Sequence, residues 1–342
     1  MQKHWFWILG LAAVLAFAST CNDEDYISVG FYNVENLFDT IDDPNTFDGE
    51  YLPDSFRNWN TNRYQTKLYN LSKVITAFGE DVAPDFLGLC EVENRKVVED
   101  LISTEKLIGV GYKLVHIDSR DARGIDVAGL YRSSKFDLID FGIKRVDLSE
   151  FEQITRDILW VNLKSKSHSE DFFFIVNHWP SRRGGLAESE PKRKIAATVL
   201  KALKDSLIEV NPLANVVIMG DFNDEPANAS IDQTLGALAS TENVSNSQVF
   251  NAMKPLDEKG RGSYCFRGNW NMLDQIMVNG QLLNGKGWEY KAKSATIHDW
   301  KWLRQRSGDY KNYPLRTFGG KTYLAGYSDH FPVSILLEHR VN

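Results

Sequence analysis

Short apolar runs recur along this chain, and each is capped at one end by a compact polar cluster; this pattern constrains the fold more than any other feature. Residues 214–219 read as a buried strand and end on Gly220-Asp221-Phe222-Asn223-Asp224-Glu225-Pro226. Residues 27–32 deliver Asn33-Val34-Glu35-Asn36, and residues 85–90 deliver Glu91-Val92-Glu93-Asn94. Residues 172–176 lead to Asn177-His178-Trp179-Pro180-Ser181-Arg182-Arg183. Asp274 lies near the start of an apolar run at 272–278, and Asp329-His330 precedes another at 331–337. Further strands are predicted at 112–117, 126–131 and 157–163. Helical spacing of Tyr64, Leu68, Leu71, Ile75 and Phe78 predicts a helix over about 62–79. Residues 95–102 predict a second helix. Pro191 is read as the start of a third, with Ile195, Val199, Leu203 and Leu207 on one face. Strands and helices interleave with no linker or repeat, so residues 26–342 are read as one α/β domain.

Residues 1–20 are read as a secretory signal: Lys3 and His4, an apolar run, then small residues before Cys21. Cys21 in that position resembles the lipidated cysteine of a bacterial lipoprotein, with residues 21–25 as tether; the alternative is a cleaved signal with a spare Cys. The acidic run Asn22-Asp23-Glu24-Asp25 resembles the surface-export tag of Bacteroidetes lipoproteins. The expected location is therefore the outer membrane, held by a lipid anchor and exposed at the surface. Cys90 and Cys265 are the only other cysteines, and a buried free thiol is expected at Cys90 rather than a disulfide. Zinc-protease, P-loop and serine-elbow spacings are all missing from the sequence. The net charge of −7 supplies no global field for polyanions, so nucleic-acid binding would need local basic patches.

Asp221 can take a proton from water, and the Asn223 amide can orient that water; the plainer reading is an acidic turn, with Gly220 letting the backbone bend. A calcium loop is excluded by Pro226 and Asp232 at its sixth and twelfth positions. Glu91, at the end of a strand buried on both sides, must be a metal ligand or half of an ion pair. His178 beside Trp179 reads as packing when taken alone. It precedes a glycine-rich turn with Ser181, Arg182 and Arg183, which suits an anion. Lys192, Arg193 and Lys194 crowd the start of the third helix, either as a ligand-facing patch or as a solvated face.

The six clusters, in this order, resemble the endonuclease/exonuclease/phosphatase superfamily, the deoxyribonuclease I-like fold, along nearly the whole mature chain. The resemblance rests on Asn33–Asn36, Leu89–Asn94, Asn177–Ser181, Gly220–Asn223, Leu273–Ile276 and Ser328–His330. It implies a four-layered α/β sandwich, two packed mixed β-sheets flanked by helices, and hydrolysis of a phosphate ester with Mg²⁺ or Mn²⁺. By matching positions, Glu91 would be the main metal ligand, with Glu35, Asn33 and Asp329 close by. Asp221 would activate the attacking water and Asn223 would hold it. His178, and His330 held by Asp274, would stabilise charge on phosphorus; either Asp221 or the Asp274–His330 pair would be the base. Residues 269–275 lack the Pro-x-Trp-x-Asp-Arg element of the inositol-phosphatase branch. The segments 33–39 and 178–185 resemble secreted bacterial nucleases, so nucleic acid is the expected substrate. Arg182, Arg183 and residues 192–194 would then bind its backbone. Lipid head groups or small phosphate esters are the alternative substrates. A non-catalytic binding protein is a third reading, opposed by the presence of every matched residue. No obligate protein partner is implied.

Overall fold

A computed structural model describes residues 25–79 and 82–340 of the chain. The signal sequence, Cys21 and all of the tether except Asp25 lie outside the described residues. No described helix is long and apolar enough to cross a membrane.

The first four strands, β1 (Tyr26–Leu37), β2 (Phe86–Val92), β3 (Tyr112–His116) and β4 (Asp126–Arg132), belong to one sheet. The next five form most of a second: β5 (Phe136–Lys144), β6 (Ile158–Ser165), β7 (Asp171–His178), β8 (Asn215–Asp221) and β9 (Val249–Asn251). After the hairpin β10 (Tyr264–Phe266)–β11 (Asn269–Asn271), β12 (Asp274–Asn279) joins the second sheet. The first sheet is completed by β13 (Gly287–Tyr290), β14 (Thr296–Ile297) and, past the small hairpin β15 (Phe318–Gly319)–β16 (Thr322–Tyr323), by β17 (Val333–Arg340). Each sheet contains one parallel pair, β1 with β2 and β7 with β8, among antiparallel neighbours. Helices α1 (Thr61–Thr76) and α2 (Arg95–Ile102) flank the first sheet; α3 (Leu186–Val210) flanks the second, and α4 (Lys254–Asp257) is a single turn.

The strand alternation explains the layering. Phe172, Phe174, Val176, Val217 and Met219 point into the core between the sheets. Their neighbours Phe173, Ile175, Val216 and Ile218 meet Ala196, Ala197, Leu200 and Leu203 of α3. Between the sheets Phe86 stacks on Phe174, with centroids 3.9 Å apart and planes 7° from parallel; such a pair adds about 0.5–1.5 kcal/mol to simple burial. The result is the four-layered α/β sandwich that the resemblance implied.

Three readings need correction. Helix α3 begins at Leu186, where Gly184 and Gly185 (φ 92° and 128°) turn the chain, so Pro191 falls inside it. Strand β5 is absent from the sequence reading because it is an edge strand with Leu138, Ile139 and Phe141 exposed, which destroys the alternation. Gly220 is strand rather than turn: a Cβ there would stand 2.5 Å from the Asn177 carbonyl oxygen across the β7–β8 pair. Its lack of a side chain lets the two parallel strands approach just before His178 and Asp221. Gly220→Ala is therefore expected to destabilise the protein by about 1–3 kcal/mol, as overpacking does, measurable by urea denaturation followed by circular dichroism.

Candidate active site

Parallel strands finish at the same end of a sheet, so β1, β2, β7 and β8 all deliver their last residues to one end of the sandwich. His178 is paired in register with Asp221, and Asp221 with Asp274, which makes a row across β7, β8 and β12. On the facing sheet the strands do not simply stop where their polar clusters begin. Pairing of β1 with β2 slips between Asn33 and Leu37, and pairing of β2 with β4 slips between Cys90 and Val92. These are bulges, and they hold Glu35, Asn36 and Glu91 in left-handed backbone (φ 50°, 50° and 63°). Asn223, beyond β8, has φ 50° as well. Such conformations cost of order 1 kcal/mol or more each for a non-glycine residue and gather where function holds them.

Asn33 joins the two sheets. Its buried Nδ2 donates to Asp221 Oδ2 (3.1 Å) and reaches Glu91 Oε1 (3.4 Å), while its Oδ1 accepts the Glu35 N–H (2.9 Å). Asp221 Oδ1 accepts the Asn223 N–H at 2.9 Å. His330 Nδ1 lies 2.7 Å from Asp274 Oδ2, and its Nε2 lies 3.9 Å from Asp221 Oδ2. His178 Nε2 sits 3.7 Å from Asp221 and 4.0 Å from Glu91, with its Nδ1 buried and unpartnered. Tyr264 lies against the His330 ring, with centroids 4.8 Å apart.

The two histidines are driven in opposite directions. Burial lowers His178 well below the usual histidine range, helped by Arg156, Arg123 and His330. Burial also acts to lower His330, but Asp274, Asp221 and Asp329 overcome it and raise His330 well above that range. Burial raises the Asp221 carboxyl, against the opposing pull of His330. One neutral imidazole, one imidazolium and one basic carboxylate thus face the same space.

Glu91 fits a divalent cation. Its oxygens accept only from the neutral Asn33 amide and the Asn36 N–H (2.9 Å), and no Lys or Arg among the described residues pairs with it. The ion-pair alternative is therefore not realised. Glu35 and Asp329 lie differently. Arg316 bridges them, at 3.3 Å to Glu35 Oε1 and 2.6 Å to Asp329 Oδ2. Glu35 Oε2 also accepts the Thr317 N–H (2.6 Å) and lies 3.9 Å from Lys67 Nζ. Glu35 is thus already neutralised by protein cations, and the Glu35–Arg316–Asp329 chain forms one wall of the site.

The expected anion turn is only partly free. Arg182 is committed to the fold, donating to the Asn223 carbonyl (2.7 Å) and Asn228 Oδ1 (3.1 Å); Ser181 and Arg183 are exposed and line the cleft. The 192–194 cluster is divided: Lys192 lines a depression with Ser181 and Arg183, whereas Arg193 is taken up by the fold. Arg193 is fully buried with Nε 2.7 Å from Asp224 Oδ2, Lys192 packs on Phe151, and Lys194 pairs with Glu190. Cys90 and Cys265 are buried free thiols. Sequence reasoning did not find Lys67, Arg156 or Tyr264 at the site, and it reached Arg316 only as part of the aromatic and basic segment 297–327, read as either a substrate-gripping loop or a packed surface loop. Arg156 braces it by donating to the Trp179 carbonyl (2.6 Å) and to Asp121 (3.0 Å). None of these four stands beside a catalytic cluster in sequence, so only tertiary structure brings them in. Arg193→Met, which leaves Asp224 buried without its partner, is expected to cost about 3–5 kcal/mol, read from the denaturation midpoint.

Comparison with known proteins agrees with this geometry. The endonuclease/exonuclease/phosphatase family model matches residues 28–339. No curated protein sequence matches the chain significantly. Among solved structures, TDP2 of D. rerio complexed with single-strand DNA product aligns with a TM-score of 0.57 at 13% identity, covering 92% of this chain and 99% of that one. The catalytic domain of human Nocturnin with bound sulfate gives 0.56 at 16%, covering 92% and 95%. A mannosyl-6-phosphatase of Bacteroides thetaiotaomicron gives 0.55 at 16%, covering 91% and 99%. At such identities these likenesses speak for the fold, while the family match spans nearly all of the described chain. The chain belongs to the endonuclease/exonuclease/phosphatase family of metal-dependent phosphoester hydrolases.

Proposed function

We propose that the protein is an exported nuclease that cleaves phosphodiester bonds of nucleic acid. The observation that carries this reading is the shape of the cleft. The catalytic pocket, about 870 Å³, shares Tyr264, Phe266 and Asp329 with an aromatic groove of about 810 Å³. It also shares Arg123 and Arg183 with a third depression of about 760 Å³. Depressions that extend this far beyond the catalytic residues suit a chain-like polyanion better than a compact head group. Arg123, Arg183 and Arg267 place cations along them among acidic neighbours such as Asp42, Glu50 and Asp309, and Phe266 and Tyr310 offer exposed rings for bases.

In this reading Glu91, with Asn33 and Asp329 nearby, would hold Mg²⁺ or Mn²⁺; oxygen donors suit a hard cation. When bound, the cation supplies charge stabilisation at a phosphoryl oxygen. Asp221, its carboxyl made more basic by burial, accepts the proton of the attacking water. Asn223 holds that water. The neutral His178 donates through Nε2 to a phosphoryl oxygen, and Asp274 keeps His330 charged, so that His330 stabilises developing negative charge and protonates the leaving oxygen. The lipid anchor at Cys21 and display at the outer-membrane surface are part of the same proposal. They rest on the 1–25 sequence.

The test is hydrolysis by protein from Asn22 onward, with Mg²⁺ or Mn²⁺ and with EDTA. Plasmid DNA, RNA, phosphoinositides and p-nitrophenyl phosphate serve as parallel substrates. Metal-dependent plasmid nicking is expected, lost with EDTA. Turnover confined to monoesters or lipid head groups would overturn the nuclease reading and leave the site intact. Asp221→Ala and His330→Ala are each expected to lower kcat by about 10²–10⁴ with thermal unfolding little changed.

Asp274→Asn tests the charge on His330. Wild-type activity should fall as pH rises through the raised His330 pKa. Asp274 is the largest of the carboxylates that raise that pKa, so without it Asp221 and Asp329 oppose burial less effectively and the alkaline limb of the kcat–pH profile should move to lower pH. An unmoved limb would remove His330 as the proton donor.

A further inference from the structure

The opposite end of the sandwich carries a second cluster of coordinating side chains, far from the catalytic cleft. His168 lies in the turn between β6 and β7, His339 lies near the end of β17, and Asp25 immediately precedes β1. One ligand atom from each of the three lies within 4.8 Å of the others. His168 Nε2 is 3.4 Å from Asp25 Oδ1. The two imidazoles are stacked with centroids 3.5 Å apart, and Trp288, fully buried, packs edge-on against both rings.

The hydrogen bonds distinguish the nitrogens. His339 Nε2 lies 3.3 Å from Glu170 Oε1, and Glu170 is itself fixed by Asn215 Nδ2 at 3.0 Å. His168 Nε2 and His339 Nδ1 are both buried atoms without a hydrogen-bond partner. A carboxylate that holds one nitrogen of a histidine and leaves the other for an ion is the usual arrangement around a ligating histidine. Asp25 Oδ1 faces His168 Nε2, a ring nitrogen of His339 lies within the same 4.8 Å, and the partial exposure of Asp25 and His168 leaves a way in and room for water.

We propose that Asp25, His168 and His339 form a binding site for a borderline divalent transition metal of the zinc type, with Glu170 orienting His339. Two imidazoles and one carboxylate suit such an ion, whereas the oxygen-rich catalytic site suits a hard one. Because an ion bonds in the plane of each ring and the rings lie 3° from parallel, binding would require them to tilt apart. The ion would tie the start of β1 to the end of β17 and to the β6–β7 turn.

The test is Zn²⁺ uptake at equilibrium dialysis with Mg²⁺ in large excess, with Co²⁺ absorption as a second probe. It compares wild type, Glu91→Gln, His168→Ala, His339→Ala and Glu170→Gln. One zinc per chain is expected in wild type and Glu91→Gln, with affinity at least 100-fold weaker in either histidine variant and about 10–100-fold weaker in Glu170→Gln. Mg²⁺-supported hydrolysis by His168→Ala should equal wild type. Should a histidine variant fail to fold, Asp25→Asn keeps both rings and is expected to weaken Zn²⁺ and alter the Co²⁺ spectrum. Undiminished uptake in the folded variants, or no uptake in wild type, overturns the site.

Discussion

A single buried amide holds the catalytic end of this protein together. The Asn33 side chain reaches from β1 across the gap between the sheets to Asp221, touches Glu91 on its own sheet, and accepts the Glu35 N–H. Two carboxylates that would repel each other share its Nδ2, which fixes their separation without bringing a competing positive charge. The rest of the fold serves that distance. Phe86 on Phe174 sets the spacing of the sheets, and the glycine at position 88, where a Cβ would lie 2.7 Å from Met219 Sδ, permits that spacing. Gly220 lets β7 lie close enough to β8 for His178 and Asp221 to face one cleft.

Charge around the cleft is sorted by depth and by partner. Glu91 has been left without a cation, whereas Glu35, close in sequence to Asn33, is covered by Arg316, Lys67 and the Thr317 N–H. Lys67 is fully buried, and burial lowers its pKa to about 8 despite the pull of Glu35. It also donates to the Tyr327 carbonyl and Thr317 hydroxyl at 2.7 Å each, which fastens α1 to the loop that carries Arg316. The bulged backbones of β1 and β2 complete this sorting, because a residue in left-handed backbone points its side chain off the regular alternation. Strain there is tolerated because pairing resumes beyond each bulge, Leu37 of β1 with Val92 of β2 and Val92 with Asp126 of β4.

The layering and most strands were legible because the buried runs are short, apolar and punctuated by polar clusters. Helix α2 came out at its observed bounds, and α1 within three residues of its observed end. The six clusters meet because four lie at the ends of β1, β2, β7 and β8, and two lie at the starts of β12 and β17, which run antiparallel to them. What escaped has physical causes. An edge strand such as β5 loses the alternation that marks a buried one. Arg193 and Arg182 look like a basic patch in sequence, yet both spend their charge on the 221–228 loop. Arg316 lies 281 residues from Glu35, and nothing local announces that contact. The bulges were invisible for a different reason: in sequence, a strand that continues past its polar residues looks like a strand that has ended.

Strand β1 joins the two ends of the molecule. Its twelve residues span roughly 40 Å, from Tyr26 beside the histidine cluster to the bulge that positions Asn33 and Glu35. A protein held by its N-terminus would therefore hold its cleft pointing outward, with the full height of the sandwich between the point of attachment and the chemistry. Molecules arriving from the medium would meet the open cleft first, while components of the supporting surface would have to travel around the protein to reach it.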